Sequence, residues 1–216
     1  MRATNVTLPE RRAGVLRRFA VCTVVGWSMM ALYLFISRHQ VGEPTAVPMP
    51  DWVPFVPVFI LPYLGLLLMT WLLPVAITDD ARFRACLRAN VCAYLLVMPW
   101  WVLMPTMLPR PPLPEGMWAE AIQRLWAVDR PYNIMPCAHG MGPMVVAWFV
   151  SAEYPKWRWL LIAALIIGLP SIALTWQHRP IDILLGSLAA VVGIIVGGMW
   201  LRWEQARKRV GEVVPV

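Results

Sequence analysis

Charge is what this sequence has least of. Only 14% of its 216 residues are charged while 59% are hydrophobic, a balance that excludes an ordinary soluble globular domain. Internal repeats, low-complexity tracts and long flexible linkers are missing too, so residues 1–216 read as one domain. The four cysteines, Cys22, Cys86, Cys92 and Cys137, show no CxxC spacing. A disulfide scaffold or a cysteine zinc cluster therefore has little support.

What is present is a series of apolar runs long enough to cross a bilayer, which takes roughly 17 to 25 residues. Six can be read: Phe19 to Ser37, Phe55 to Ile77, Ala89 to Leu108, Ile134 to Ala152, Trp159 to Trp176 and Ile181 to Trp200. The expected fold is all-α, a polytopic membrane bundle of six transmembrane helices. Of the 21 prolines, Pro57, Pro62, Pro99 and Pro170 fall inside spans and predict kinks. The first run is followed by "SRHQVGEP" instead of a small-x-small cleavage site, so it reads as a retained anchor.

The net charge of +7 raises the question of nucleic acid, and the placement of the charges answers it. With the N-terminus inside, Arg2, Arg11, Arg12, Arg17, Arg18, Arg82, Arg84, Arg88, Lys156, Arg158, Arg202, Arg207, Lys208 and Arg209 share one side, 14 of the 19 basic residues. The positive-inside rule gives an N-in, C-in orientation. The basic balance then reflects topology and contact with anionic membrane lipids, with no call for nucleic acid.

That topology gathers the unusual polar residues on the outer face. In "QHRPID", Pro180 suits the first turn of a helix, which places Asp182 in that turn and His178 just before it. Across four residues the carboxylate can fix the imidazole tautomer and leave a nucleophilic nitrogen facing outward. In "PCAHG", Pro136 reads as an early helical residue, with His139 about one turn into the fourth span beside unpaired backbone N–H groups. Two such helix starts facing each other make a phosphate-sized anion site with a nucleophile and a candidate general acid. Arg110, Arg130 and Arg179 are the cations near enough in sequence to join it, and Gly140 and Gly142 could admit a close backbone or phosphate. Two other readings stand beside this one. The histidines and Asp182 could be interfacial and capping residues, or two histidines and a carboxylate could hold iron or zinc.

Between the third and fourth spans, Leu113 to Val128 carries Met117, Trp118, Ala121, Ile122, Leu125 and Trp126 at helical spacing. An interfacial helix in the outer loop is expected there, either flanking a lipid entrance or covering the bundle.

These motifs resemble a known family. "PCAH" (Pro136 to His139) is similar to the Pro-Ser-Gly-His motif of the type 2 phosphatidic acid phosphatase superfamily, and "SIALTWQHRPID" (Ser171 to Asp182) to its Ser-Arg-x5-His-x3-Asp motif. Arg110-Pro111 resembles the end of its Lys-x6-Arg-Pro motif, and "DRPYNIMPCAH" the form seen in its inositol phosphorylceramide synthase branch. The resemblance implies a membrane lipid phosphatase or phosphotransferase in which His178 forms a phosphohistidine, Asp182 orients it, His139 protonates the leaving group and Arg110 binds phosphate. It implies a phosphorylated lipid as substrate, no metal or other cofactor, and a multi-pass protein of the plasma (inner) membrane with its site on the extracytoplasmic face. The chain departs from the pattern at Leu103 and Ile172, where the motifs carry Lys and Arg, and at Cys137 and Ala138, where they carry Ser and Gly. The loss of cations leans toward head-group transfer, with Arg130 or Arg179 as substitutes. It equally supports an alternative: a lipid-binding or scaffolding membrane protein with decayed motifs.

Overall fold

A computed structural model describes residues 8–39 and 42–213, with side chains described over 12–39 and 42–209. Arg2 and the side chain of Arg11, counted above among the inner cations, lie outside the described residues. The described chain is an all-α bundle of α1 (Leu8–Arg38), α2 (Ile60–Leu72), α3 (Asp80–Leu103), α4 (Met117–Val128), α5 (Met141–Glu153), α6 (Arg158–Leu174) and α7 (Pro180–Val213). Its one described sheet is the parallel pairing of β1 (Thr45–Ala46) with β2 (Thr106–Met107).

Among the described residues, five helical segments are long and apolar enough to cross a membrane: Arg12–Arg38, Pro57–Ala76, Asp80–Leu103, Pro155–Leu174 and Pro180–Arg209. The expectation of six is corrected at the fourth run. Helix α5 has 13 residues, about 20 Å at 1.5 Å per residue against a hydrocarbon core of about 30 Å. Its missing N-terminal part, residues 134–140, is held irregular by tertiary hydrogen bonds. Trp101 Nε1 donates to the Pro136 carbonyl at 3.0 Å, and the Cys137 N–H donates to the Asp182 carbonyl at 2.9 Å. Pro136 therefore does not start the helix. Helix α5 lies largely inside the bundle, with Val145, Val146 and Val150 fully buried.

The third run is also displaced. Asp79 accepts from the Arg82 N–H at 2.6 Å and caps α3, which starts at Asp80, nine residues before Ala89. Pro99 and Pro170 sit inside α3 and α6, whereas Pro57 opens a 3-10 turn ahead of α2.

Helices α3 and α7 pack through small residues. A Cβ on Gly197 would come within 2.7 Å of the Ala85 carbonyl oxygen, and one on Gly193 would clash with the Ala89 carbonyl. Small residues let two backbones approach where no hydrophobic force separates lipid from protein. The bundle's two ends differ in chemistry. At one end Arg17 pairs with Asp80, Arg82 with Glu153, and Arg84 and Arg88 with Glu204. At the other lie α4, the segment 129–140 and the turn from α6 to α7.

Candidate functional site

The turn from α6 to α7 is built to present His178. Helix α6 ends with the Gln177 N–H on the Ile172 carbonyl (3.0 Å) and the Trp176 N–H on the Ala173 carbonyl (2.9 Å), the paired bonds of a Schellman motif. Its left-handed residue is Trp176, at φ 52°. A non-glycine residue there is disfavoured, and the reversal it makes directs His178 back toward the segment before α5.

His178 is 3% exposed. Its Nδ1 lies 2.6 Å from the Ile134 carbonyl oxygen. A carbonyl only accepts, so Nδ1 carries the proton and Nε2 keeps its lone pair. That lone pair faces His139 Nδ1 at 2.8 Å, so His139 donates through Nδ1. The other His139 nitrogen, Nε2, lies 3.6 Å from Asp129 Oδ2. Asp129 in turn accepts from the Tyr33 hydroxyl at 2.9 Å. With its amide turned to satisfy both atoms, Gln177 donates to Asp129 Oδ2 at 3.2 Å and accepts from Trp126 Nε1 at 2.7 Å. The chain of groups is thus Ile134 carbonyl, His178, His139, Asp129, Tyr33.

Both imidazoles lie in connecting segments, outside the five candidate spans. Burial lowers the pKa of each below the usual value for histidine, His178 the more strongly because His139 adds to the effect. For His139, the Asp129 carboxylate acts in the opposite direction. The lowering favours the neutral ring, which for His178 is the state a nucleophilic lone pair requires.

Asp182 does not orient His178. Its carboxylate accepts from the Arg179 backbone N–H (2.9 Å), from Arg179 Nε (3.0 Å) and from an Arg179 terminal nitrogen (2.7 Å). Three residues into the helix and reaching back to the residue before it, Asp182 is the acidic member of a capping box. The tautomer is fixed by the Ile134 carbonyl, a backbone group that carries no signature in a single sequence. Asp129, which meets His139, was within reach of sequence reasoning as the first residue of "DRPYNIMPCAH", yet its role there had not been assigned.

His139 also departs from expectation, since it precedes α5 instead of lying one turn inside it. Of the three cations, Arg110 and Arg179 are engaged elsewhere. Arg110 donates to the carbonyls of Trp126 (3.0 Å) and Asp129 (2.5 Å) and lies over the Trp126 ring, so it closes the C-terminal end of α4. Burial brings its pKa down to about 10, leaving it charged at neutral pH. Arg179 is held by Asp182, and Arg130 is exposed with no ion pair among the described residues. Gly140 is buried as the residue before α5, where an added Cβ would meet Leu169 at 3.0 Å, so it serves helix packing.

Cys137 is fully buried, its thiol pushed up by burial while the backbone N–H groups of Gly140 and His139 bond to it. Its sulfur and one nitrogen from each of His139 and His178 lie within 4.8 Å of one another. Three ligands of this kind suit zinc.

A cavity of about 210 Å³ opens at the histidine pair. His139, His178, Asp129 and Tyr63 line one part of it, and apolar residues of α1, α2 and α3, among them Met29, Leu67 and Leu87, line the rest. Helix α4 matches the expected amphipathic segment and buries Ala119 and Ile122, while Met117 and Val128 face outward.

No family model matches this chain, and no curated protein matches it.

Proposed function

We propose that the protein is a membrane-embedded phosphatase or phosphotransferase that acts on the phosphorylated head group of a lipid through His178. The observation that carries this reading is the 2.8 Å contact between His139 Nδ1 and a tautomerically fixed His178 Nε2 at the mouth of an apolar cavity. A histidine pair with one proton between them supplies both a nucleophile and an acid. An apolar cavity running from it into the helices suits a substrate whose head is polar and whose body is hydrocarbon. The motif resemblance described above points the same way.

In this reading the lipid phosphorus takes the place of the His139 proton in front of His178 Nε2. A bond forms from Nε2 to phosphorus and the bond from phosphorus to the leaving oxygen breaks, while His139, protonated on both nitrogens in the substrate complex, gives one proton to that oxygen and returns to the neutral ring. Asp129 stabilises the charge that His139 carries before the transfer. Water or an alcohol then attacks the phosphohistidine, giving a phosphatase or a transferase respectively. The orientation that accompanies this reading has the end of the bundle bearing Arg17, Arg82, Arg84 and Arg88 inside, by the positive-inside rule. It puts the site on the extracytoplasmic face of the plasma (inner) membrane.

The cluster of Cys137, His139 and His178 favours a second reading, in which these three side chains would hold a zinc ion that would supply Lewis-acid chemistry. One experiment separates the two. Purified protein is assayed on phosphatidic acid, on a prenyl diphosphate, and on ceramide with a phospholipid donor, with and without EDTA. Turnover that persists in EDTA and disappears in His178→Ala supports the phosphohistidine reading. Turnover lost to EDTA and restored by zinc supports the metal reading, and turnover unaffected by His178→Ala overturns both.

A further inference from the structure

The residue left over at this site is Tyr63. Its side chain is completely buried, 0% exposed, and its hydroxyl has no hydrogen-bond partner among the described residues. An unpaired buried hydroxyl is disfavoured, because water's hydrogen bonds are lost and nothing replaces them. The position is not remote from the chemistry. The Tyr63 ring lies 5.6 Å from the His139 ring, centroid to centroid, and packs in one cluster with Cys137 and Ile172. Tyr63 lines the cavity together with His139, His178 and Asp129, and Asp129, Cys137 and Arg110 are among its phenol's charged and titratable neighbours.

The guanidinium groups of Arg110 and Arg179 are largely engaged, although Arg110 Nε and Thr70 Oγ1, the latter also lining the cavity, are buried without a partner among the described residues. The Nη groups of Arg110 are bonded to the end of α4, and Arg179 is held by Asp182. Ile172, buried at 0% exposure, contributes no donor. A tetrahedral phosphoryl group bound at His178 would bring several oxygens into a pocket lined by Tyr63, the one of its two unpartnered hydroxyl residues whose ring packs beside His139.

We propose that Tyr63 is a substrate-binding residue whose hydroxyl donates to a non-bridging oxygen of the phosphoryl group held at His178. This rests on the reading of His178 as the site of phosphoryl transfer. The phenol keeps its proton throughout and makes no covalent bond. It acts as a neutral donor aimed at charge that develops on the phosphoryl oxygens.

Tyr63→Phe removes this hydroxyl and nothing else. Thermal unfolding of the detergent-solubilised full chain is measured with and without orthovanadate, and turnover on the lipid panel is measured in parallel. The expected result is a Tm without ligand equal to or above wild type, together with a vanadate-induced rise in Tm that is lost and kcat/KM lower by about 10²-fold. A variant that keeps both the vanadate shift and turnover overturns the proposal. So does one that loses Tm without ligand in step with both, since the hydroxyl would then be structural. The two readings fail separately. If wild type turns over no lipid yet shows a vanadate shift that depends on both His178 and Tyr63, turnover of these lipids falls while the phosphoryl-binding role of Tyr63 at His178 stands. If His178→Ala abolishes turnover and Tyr63→Phe changes neither turnover nor vanadate binding, the enzyme reading stands and this one falls. A wild-type protein with neither turnover nor a vanadate shift contradicts both.

Discussion

Asp129 lies 3.6 Å from His139 Nε2, while Asp182, the carboxylate nearest in sequence to His178, is bound entirely by Arg179. The two acids therefore carry different work. Asp129 faces the histidine pair, and Asp182 belongs to the start of α7.

Substituting each by asparagine separates them. Asp182→Asn loses the charge that pairs with Arg179 and weakens the cap, at a cost of about 1–2 kcal/mol, so Tm falls while kcat of the folded fraction holds. Asp129→Asn leaves Tm nearly unchanged and lowers kcat, by an amount of order 10²-fold. It also removes the charge that opposes the lowering of the His139 pKa, so the alkaline limb of the kcat profile moves to lower pH. Paired Tm and pH–rate measurements on the two variants check both statements.

The roles of the histidines predict different responses to the leaving group. A lipid phosphate bearing a nitrophenyl leaving group needs little protonation. His139→Ala should recover most of its lost rate on such a substrate, and His178→Ala should recover none. Initial rates on natural and activated substrates give the comparison.

Stability depends on pH through the same rings. Both have folded-state pKa values below the unfolded value of about 6.5. The unfolded chain therefore binds more protons just below that pH, so the histidine contribution is complete above pH 6.5 and is lost as pH falls beneath it. Tm measured from pH 8 to pH 5 should decline over the acidic part, and His178→Gln should flatten the decline.

Packing of α3 on α7 offers a test away from the site. Gly193→Leu forces a side chain against the Ala89 carbonyl. Overpacking of this kind costs about 1–3 kcal/mol, and thermal unfolding should show the loss. Gly198→Ala, where a Cβ would meet open space, should leave Tm within error of wild type.

Much of this architecture was legible in advance because its signals are local. Pro180 marks the start of α7, helical spacing marks α4, and the approach of His139 to His178 follows from placing both at one end of an alternating bundle. Residues 134–140 were misread because proline before an apolar run looks like a helix start. Bonds from Trp101 and to the Asp182 carbonyl, both distant in sequence, keep that segment out of the helix. The same limit hid the orienting group of His178. A nearby carboxylate is an obvious candidate by spacing, but the Ile134 carbonyl, 44 residues away, holds the ring. Nothing in the structure explains why Cys137 in particular, instead of a small hydroxyl residue, occupies its position.

The central claim is that His178 Nε2 attacks phosphorus. Its most direct measurement is mass spectrometry of peptides from protein quenched at alkaline pH during turnover of a phosphorylated lipid. The account predicts a phosphoryl adduct on the peptide carrying His178, acid-labile, lost in His178→Ala and chased by water or the acceptor alcohol. Sustained turnover with no adduct on His178, or an adduct on His139 alone, would contradict it.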